Sequence, residues 1–113
     1  MSLIEVEKIE EVAVVHLLVK RLDASNALAF KEEVVTVVHS GETRLVLDMG
    51  KVEFVDSSGL GAMVSVFKAL GGKGAVVVCN VGSAVMNLFK LTRMDKVFSI
   101  VPDTEQAVAR ARA

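Results

Sequence analysis

Asp56, Ser57 and Ser58 stand together in the segment Val55-Asp56-Ser57-Ser58-Gly59-Leu60-Gly61. An acid and two hydroxyls at that spacing could serve three chemistries. They could supply a catalytic nucleophile, cap a helix, or accept a phosphoryl group. A nucleophilic serine would need a Gly-x-Ser-x-Gly elbow with a base and an acid to activate it. Ser57 is flanked by Asp56 and Ser58 instead, and the two histidines, His16 and His39, lie early in the chain. We therefore expect no enzyme and no catalytic residue. An apolar β-rich run (Leu45 to Met49, then Phe54-Val55) precedes the segment, and a helix-period run (Leu60, Met63, Val64, Phe67, Leu70) follows it. A serine at that junction sits at the positive end of a helix, where backbone N–H groups have no intrahelical partner. Such a place accommodates a phosphate. The segment points to a serine that is modified.

Capping is the simpler use of the same residues, because Asp and Ser are favoured at helix N-caps. The glycines weigh against capping alone. In a first helical turn Gly59 and Gly61 each cost ~1 kcal/mol relative to alanine. Close approach of a partner backbone or tight packing of the turn would explain them. Ser58 reads as a cap or a local hydrogen-bonding residue, and is the alternative phosphate acceptor. Asp23 reads from the sequence as a helix cap.

Other polar groups offer less. His16 on an apolar strand reads as a satisfied structural histidine. His39 suits the dipole at a helix end, and the two histidines have no metal-ligand spacing. Asp48 either turns toward the Ser57 edge or is a solvated strand-end charge. Glu32-Glu33 and Arg110/Arg112 read as solvated faces. Gly71-Gly72-Lys73-Gly74 lacks the spacing and the Lys-Ser/Thr end of a P-loop and reads as a helix stop. The single cysteine, Cys79, excludes an internal disulfide. It lies in an apolar run with no cationic neighbour, so we expect an inert thiol. No metal and no cofactor is expected.

The elements that must position Ser57 follow from periodicity. Residues 3–8 alternate, Glu10-Glu11 turn, and Val12 to Val19 is β-branched, which predicts a hairpin. Asp23 or Ser25 offers an N-cap for a helix carrying Leu28, Phe30, Val34, Val35 and Val38 and stopped by Gly41. A strand from Leu45 to Met49 follows, extended by Phe54-Val55. The helix after Ser57 has Leu60, Met63, Val64, Phe67 and Leu70 as its core stripe. Ala62, Val66 and Ala69 lie on a second apolar face, which has two readings: it docks a partner near Ser57, or neighbouring elements cover it. Ala75 to Cys79 is a strand, Ser83 caps a helix with Val85, Met86, Leu88, Phe89 and Leu91, and Val97 to Val101 is a strand. Pro102-Asp103-Thr104 opens a last helix. The order β-β-α-β-α-β-α-β-α, with about four helices, predicts an α/β fold with a mixed, mostly parallel sheet. The Ser57 turn lies at the carboxyl edge of the strands, the usual functional edge.

Composition bounds the function. At 113 residues the chain predicts one domain, 1–113, and 52% apolar content argues against disorder. A net charge of −1, with 13 basic and 14 acidic residues, leaves no surplus for a phosphate backbone, so no direct nucleic-acid contact is expected. No apolar run approaches the ~20 residues that span a bilayer, and no signal peptide is evident. We expect no membrane insertion and a cytoplasmic location.

The element order and the segment from Val55 to Gly61, together with Leu22-Asp23 and the Ala75–Cys79 strand, resemble the STAS family. More narrowly, the chain is similar to the stand-alone bacterial anti-sigma factor antagonists. The resemblance implies a STAS-like domain that binds an anti-sigma factor, often also a serine kinase, and so frees a sigma factor. It implies phosphorylation of the serine directly after the motif aspartate, here Ser57, which separates the pair. A phosphatase acting on phospho-Ser57 restores the antagonist. With a rim charge at Asp23 implied by the resemblance and the docking reading of the second apolar helix face, the expected partner surface is Asp23, Asp56, Ser58, Gly59, Leu60, Ala62 and Val66. A monomer or weak dimer is expected. An alternative within the family is a scaffold or accessory subunit, as in a stressosome-like or lipid-transport ABC complex, without obligatory phosphorylation. One departure stands out. Lys20-Arg21 replaces the glycine and acidic residue common before Leu-Asp, and rim charge of that kind sets partner choice and association rate.

Overall fold

The computed structural model describes residues 2–113; Met1 lies outside the described residues. Strands β1 (Ile4–Ile9) and β2 (Val12–Leu17) form the expected antiparallel hairpin. Its two-residue turn, Glu10-Glu11, takes positive φ at both positions, 49° and 71°. That is the twist a two-residue hairpin demands, here met without glycine. Strand β3 (Arg21–Leu22) is followed by helix α1 (Ala27–His39), β4 (Arg44–Asp48), β5 (Phe54–Val55) and α2 (Ser57–Leu70). Then come β6 (Ala75–Cys79), α3 (Ser83–Leu91), a 3-10 turn (Met94–Lys96), β7 (Ser99–Val101) and α4 (Thr104–Arg112).

The main sheet runs β1-β2-β4-β6-β7, antiparallel at the hairpin and parallel thereafter. Its inner strands are covered on both faces, which is why β2 and β4 read as unbroken apolar runs rather than as alternation. Helices α1, α2 and α3 pack Phe30, Val34, Met63, Val66 and Phe89 against one face, over Val15, Leu45, Leu47 and Val78. Helix α4 covers the other with Ala107, Val108 and Ala111, over Val12, Val14, Val46 and Val77. Four helices on a mixed five-stranded sheet is the expected α/β architecture.

Several local expectations need correction. Phe54-Val55 does not extend β4. Asp48 Oδ1 accepts from Gly50 N at 3.0 Å and Met49 O accepts from Val52 N at 3.0 Å, so the chain turns out of the sheet. It re-forms as β5, which pairs in parallel with β3 in a separate two-stranded ladder. Helix α1 has Asn26, not Asp23 or Ser25, at its N-cap position, and α3 has Gly82 there rather than Ser83. Strand β7 begins at Ser99, because the 3-10 turn occupies the chain up to Lys96. Leu28 is 64% exposed, and α1 buries Ala27, Phe30 and Val34 instead.

The core stripe of α2 is also rotated from its expected position. Ala62, Met63, Val66 and Leu70 are buried, Leu60 and Val64 are partly buried, and Phe67 is exposed. The reason is that α2 packs beside α1 as well as on the sheet. A helix between two neighbours buries a wider arc than one lying on a surface. Helix α2 ends where expected: Gly71 and Gly72 take φ of 59° and 79°, the left-handed geometry that terminates a helix and favours glycine.

Candidate functional site

Two loops converge at the start of α2. Asp56, with extended backbone, is the N-cap of α2, and its Oδ1 accepts from Gly59 N at 2.9 Å. Its Oδ2 accepts from Ala24 N at 3.2 Å, and its own N–H donates to Leu22 O at 3.2 Å. Asp56 therefore staples the Ser57 turn to the 22–24 loop. The β3–β5 ladder sets the register of that junction, pairing Arg21 with Phe54 and Leu22 with Val55. Lys20 O accepts from Glu53 N at 2.7 Å and extends the seam.

Ser57 is the first residue of α2 and is exposed, as is Ser58. Among the described residues neither hydroxyl makes a hydrogen bond, and neither backbone N–H finds a protein partner. Ser58 is thus not the cap or local hydrogen-bonding residue it was expected to be, because Asp56 takes the capping role. Unpaired N–H groups at a helix N-terminus favour an anion. Ser57 Oγ is therefore open to solvent where added negative charge is tolerated.

Asp23 lies across the junction. Its Oδ1 accepts from Ser25 Oγ at 2.6 Å and Ser25 N at 3.0 Å, and Arg21 Nε is 3.4 Å from Oδ2. The Ser25 hydrogen bonds, with Arg21 beside them, hold the Asp23 carboxyl below its usual pKa. The Arg21 guanidinium also lies 4.2 Å from the centroid of the Phe54 ring. Arg21 thus places a cation on an aromatic face beside Asp23.

The expected partner-facing residues divide. Asp23, Asp56, Ser58 and Leu60 keep at least partial exposure at this edge. Gly59, Ala62 and Val66 do not. Ala62 and Val66 are 6% and 0% exposed and belong to the core. A Cβ on Gly59 would lie 2.3 Å from Leu22 O, so tight packing of α2 against β3 explains that glycine. The apolar surface that sequence reasoning missed lies along β5, the strand that leads into Asp56 and Ser57. A groove of about 250 Å³ runs between β5 and α3, with Phe54, Val55, Val85, Leu88 and Leu91 along it and Glu53 and Asn87 among its lining. Phe54 is 41% and Leu91 84% exposed. Leu91 falls at the end of α3, where an apolar residue past the last buried turn was the available signal.

The other candidates are structural. Asp48 does not reach the Ser57 edge; its carboxylate lies beside His16 and accepts from Asn80 Nδ2 at 2.9 Å. Glu33 is not simply solvated, since Leu3 N donates to its carboxylate at 3.1 Å. Cys79 is fully buried, and burial raises its thiol pKa. Among the described residues, no cluster of His, Cys, Asp and Glu could hold a metal ion, and no helix is long and apolar enough to cross a membrane.

This arrangement of a hairpin-led sheet, three helices on one face and an exposed serine at the start of α2 has a family. The profile of the STAS domain matches residues 4–107, and the chain belongs to the STAS family. Its relatives include anti-sigma factor antagonists. BtrV of Bordetella bronchiseptica, which carries that description, is 29% identical over 89 residues, 78% of this chain and 77% of that protein. The crystal structure of an anti-sigma factor antagonist from Mycobacterium paratuberculosis matches with a TM-score of 0.89 at 29% identity, covering 97% of this chain and 93% of that one. SpoIIAA of Bacillus in its phosphorylated form has the same fold, with a TM-score of 0.71 at 21% identity over 95% of this chain and 97% of that one.

Proposed function

We propose that this protein is a phosphorylation-switched anti-sigma factor antagonist, with Ser57 as the phosphoacceptor. The observation that carries the proposal is the contrast between Ser57 and Asp56. Ser57 is exposed and its hydroxyl is unengaged among the described residues, while Asp56 beside it ties the turn to Gly59 and Ala24 through both carboxylate oxygens. The family membership and the antagonist relatives support the same reading.

In this reading the unmodified protein, one domain over residues 1–113, binds an anti-sigma factor through the edge formed by Asp23, Asp56, Ser58 and Leu60. The sigma factor is thereby freed. The anti-sigma factor is itself a serine kinase: Ser57 Oγ attacks the γ-phosphorus of ATP, ADP leaves, and the hydroxyl proton passes to a base on the kinase. The phosphate adds about −1.5 to −2 charges. The unpaired N–H groups of α2 tolerate that charge within the fold, while Asp56 and Asp23 leave it uncompensated toward a partner. An unpaired charge in a close interface costs several kcal/mol, and ~4 kcal/mol is about a thousandfold in affinity. A phosphatase that hydrolyses phospho-Ser57 resets the switch. The protein acts by binding, without catalysis of its own, in the cytoplasm.

The test uses tagged protein in lysate of its native host, pulled down with and without ATP, with the bait read by intact mass and peptide mapping. One phosphate on Ser57 and release of a kinase partner after modification are expected. An unmodified bait retained in a transporter or a large scaffold would sink the switch and favour the scaffold role. In binding assays Ser57→Ala should hold the partner irrespective of ATP, and Ser57→Asp should bind about a hundredfold or more weakly. Failure of Ser57→Ala to bind would make the serine a direct contact.

A further inference from the structure

On the α4 side of the sheet, away from Ser57, a row of side chains crosses the strands in register: Glu5 on β1, His16 on β2, Asp48 on β4 and Cys79 on β6. His16 sits between two carboxylates. Its Nδ1 lies 2.6 Å from Asp48 Oδ2 and its Nε2 lies 2.8 Å from Glu7 Oε1. A neutral imidazole has one N–H and one bare lone pair, so only one of these contacts could then be a hydrogen bond. The other would set a lone pair against a carboxylate oxygen. Both are attractive only when both nitrogens carry protons, and charge-assisted bonds of this kind are the strong ones. Asp48 is committed as the acceptor, because its other oxygen already accepts from Asn80 Nδ2 at 2.9 Å and Gly50 N at 3.0 Å.

We propose that His16 is a protonated clasp that fastens edge strand β1 to β4 across β2, so that loss of its proton loosens the N-terminal hairpin. In the sheet β1 pairs with β2, and the ion pair of Lys8 with Glu42 reaches from β1 to the loop before β4; the His16 tie, through Glu7, adds a further side-chain hold on the strand. The network continues from Asp48 through Asn80 to Thr104 Oγ1, which accepts from Asn80 Nδ2 at 3.2 Å at the start of α4. The clasp thus joins the hairpin to both the sheet centre and the helix that covers it.

The charges around the ring favour the proton. Glu5 and Glu7 face it from β1 and Asp48 from β4, and Lys51, in the turn after β4, lines the same pocket and opposes them. From the β6 and α4 side, Cys79 is buried and held as the thiol, and Asp103 caps α4. Burial of the ring opposes its charge, but the hydrogen bonds to Glu7 and Asp48 and their negative charges outweigh it, so the His16 pKa lies above its ordinary 6.5. A raised folded-state pKa gives stability that is complete below 6.5 and is lost as the pH rises through the raised value.

Ring ¹⁵N spectra of the full chain across a pH titration test the proposal, together with hydrogen exchange of the β1 amides corrected for base catalysis. We expect both ring nitrogens to be protonated at mildly acidic pH and a His16 midpoint above 6.5. Glu7→Gln and Asp48→Asn should each lower that midpoint by about one unit. Protection of β1 should fall by about tenfold for each unit by which the pKa is raised, as the pH passes the midpoint, and in His16→Gln that step should vanish. Glu7 is largely solvent-facing, so Glu7→Gln folds and keeps the test open if Asp48→Asn does not. A midpoint at or below the ordinary value, a midpoint unmoved by Glu7→Gln, or β1 protection indifferent to the titration would each overturn the clasp.

Discussion

At the scale of single residues, Ser57 and Asp56 divide the labour of the site. Among the described residues the Ser57 hydroxyl has no hydrogen-bond partner to lose, so Ser57→Ala should change folding stability by less than ~0.5 kcal/mol. A loss in partner binding or release would then be chemical rather than structural. Asp56 is the opposite case. It accepts from Gly59 N and Ala24 N, one bond within α2 and one across to the loop after β3. Asp56→Ala should cost ~1–2 kcal/mol, the value of a lost N-cap, read as a lower urea midpoint. No change would mean that the cap is not formed in solution. The motif Asp-Ser-Ser was fully legible as residues, and its placement at a helix start was too. The commitment of Asp56 to Ala24 was not, because the two are 32 positions apart and only the β3–β5 ladder brings them together.

At the scale of elements, the seam between α2 and β3 explains one glycine and leaves the other free. A Cβ at Gly59 would overlap Leu22 O, whereas among the described residues a Cβ at Gly61 would meet nothing within 4 Å beyond its chain neighbours and the backbone of its own helix. The two glycines read alike in sequence and behave oppositely. Gly59→Ala should destabilise by ~1–3 kcal/mol, as overpacking does. Gly61→Ala should stabilise by ~1 kcal/mol through helix propensity. Thermal melts of the pair check both signs at once; equal shifts would mean that α2 does not sit so close to β3. Overpacking in the first case and propensity in the second are separable because both sites are in the same helical turn. The buried face of α2 was misjudged from periodicity for a related reason. A hydrophobic stripe shows which residues are apolar, but the number of neighbouring elements decides how wide an arc is buried.

At the scale of the whole molecule, the polar row through His16 and Asp48 gives the fold its pH dependence. Burial would raise the Asp48 pKa, but hydrogen bonds from Asn80, His16 and Gly50 and the charge of His16 outweigh it and lower it below 3.8. A lowered carboxylate pKa gives stability that is present above 3.8 and lost as the pH falls through the lowered value. Together with the His16 clasp this predicts a stability plateau bounded on the acid side by Asp48 and on the alkaline side by His16. In urea titrations across pH, Asp48→Asn should flatten the acid limb relative to the parent protein. An unaltered acid limb would assign that limb to other carboxylates.

Local pattern was enough for much of this protein. The hairpin with its Glu10-Glu11 turn, the alternation of strands and helices after it, the stop at Gly71 and the exposed serine at the start of α2 all follow from residue type and spacing over a few positions. Periodicity and capping act over such distances, and the chain carries those signals plainly. The tertiary structure alone decided which apolar residues remain outside. It took Ala62 and Val66 into the core beside α1, left Phe54 and Leu91 facing solvent, and turned Phe54-Val55 away from β4 to pair with β3. It also set His16 between Glu7 and Asp48. Each of these outcomes depends on contacts between segments distant in the chain, and which strand or helix becomes a neighbour is a property of the packed whole.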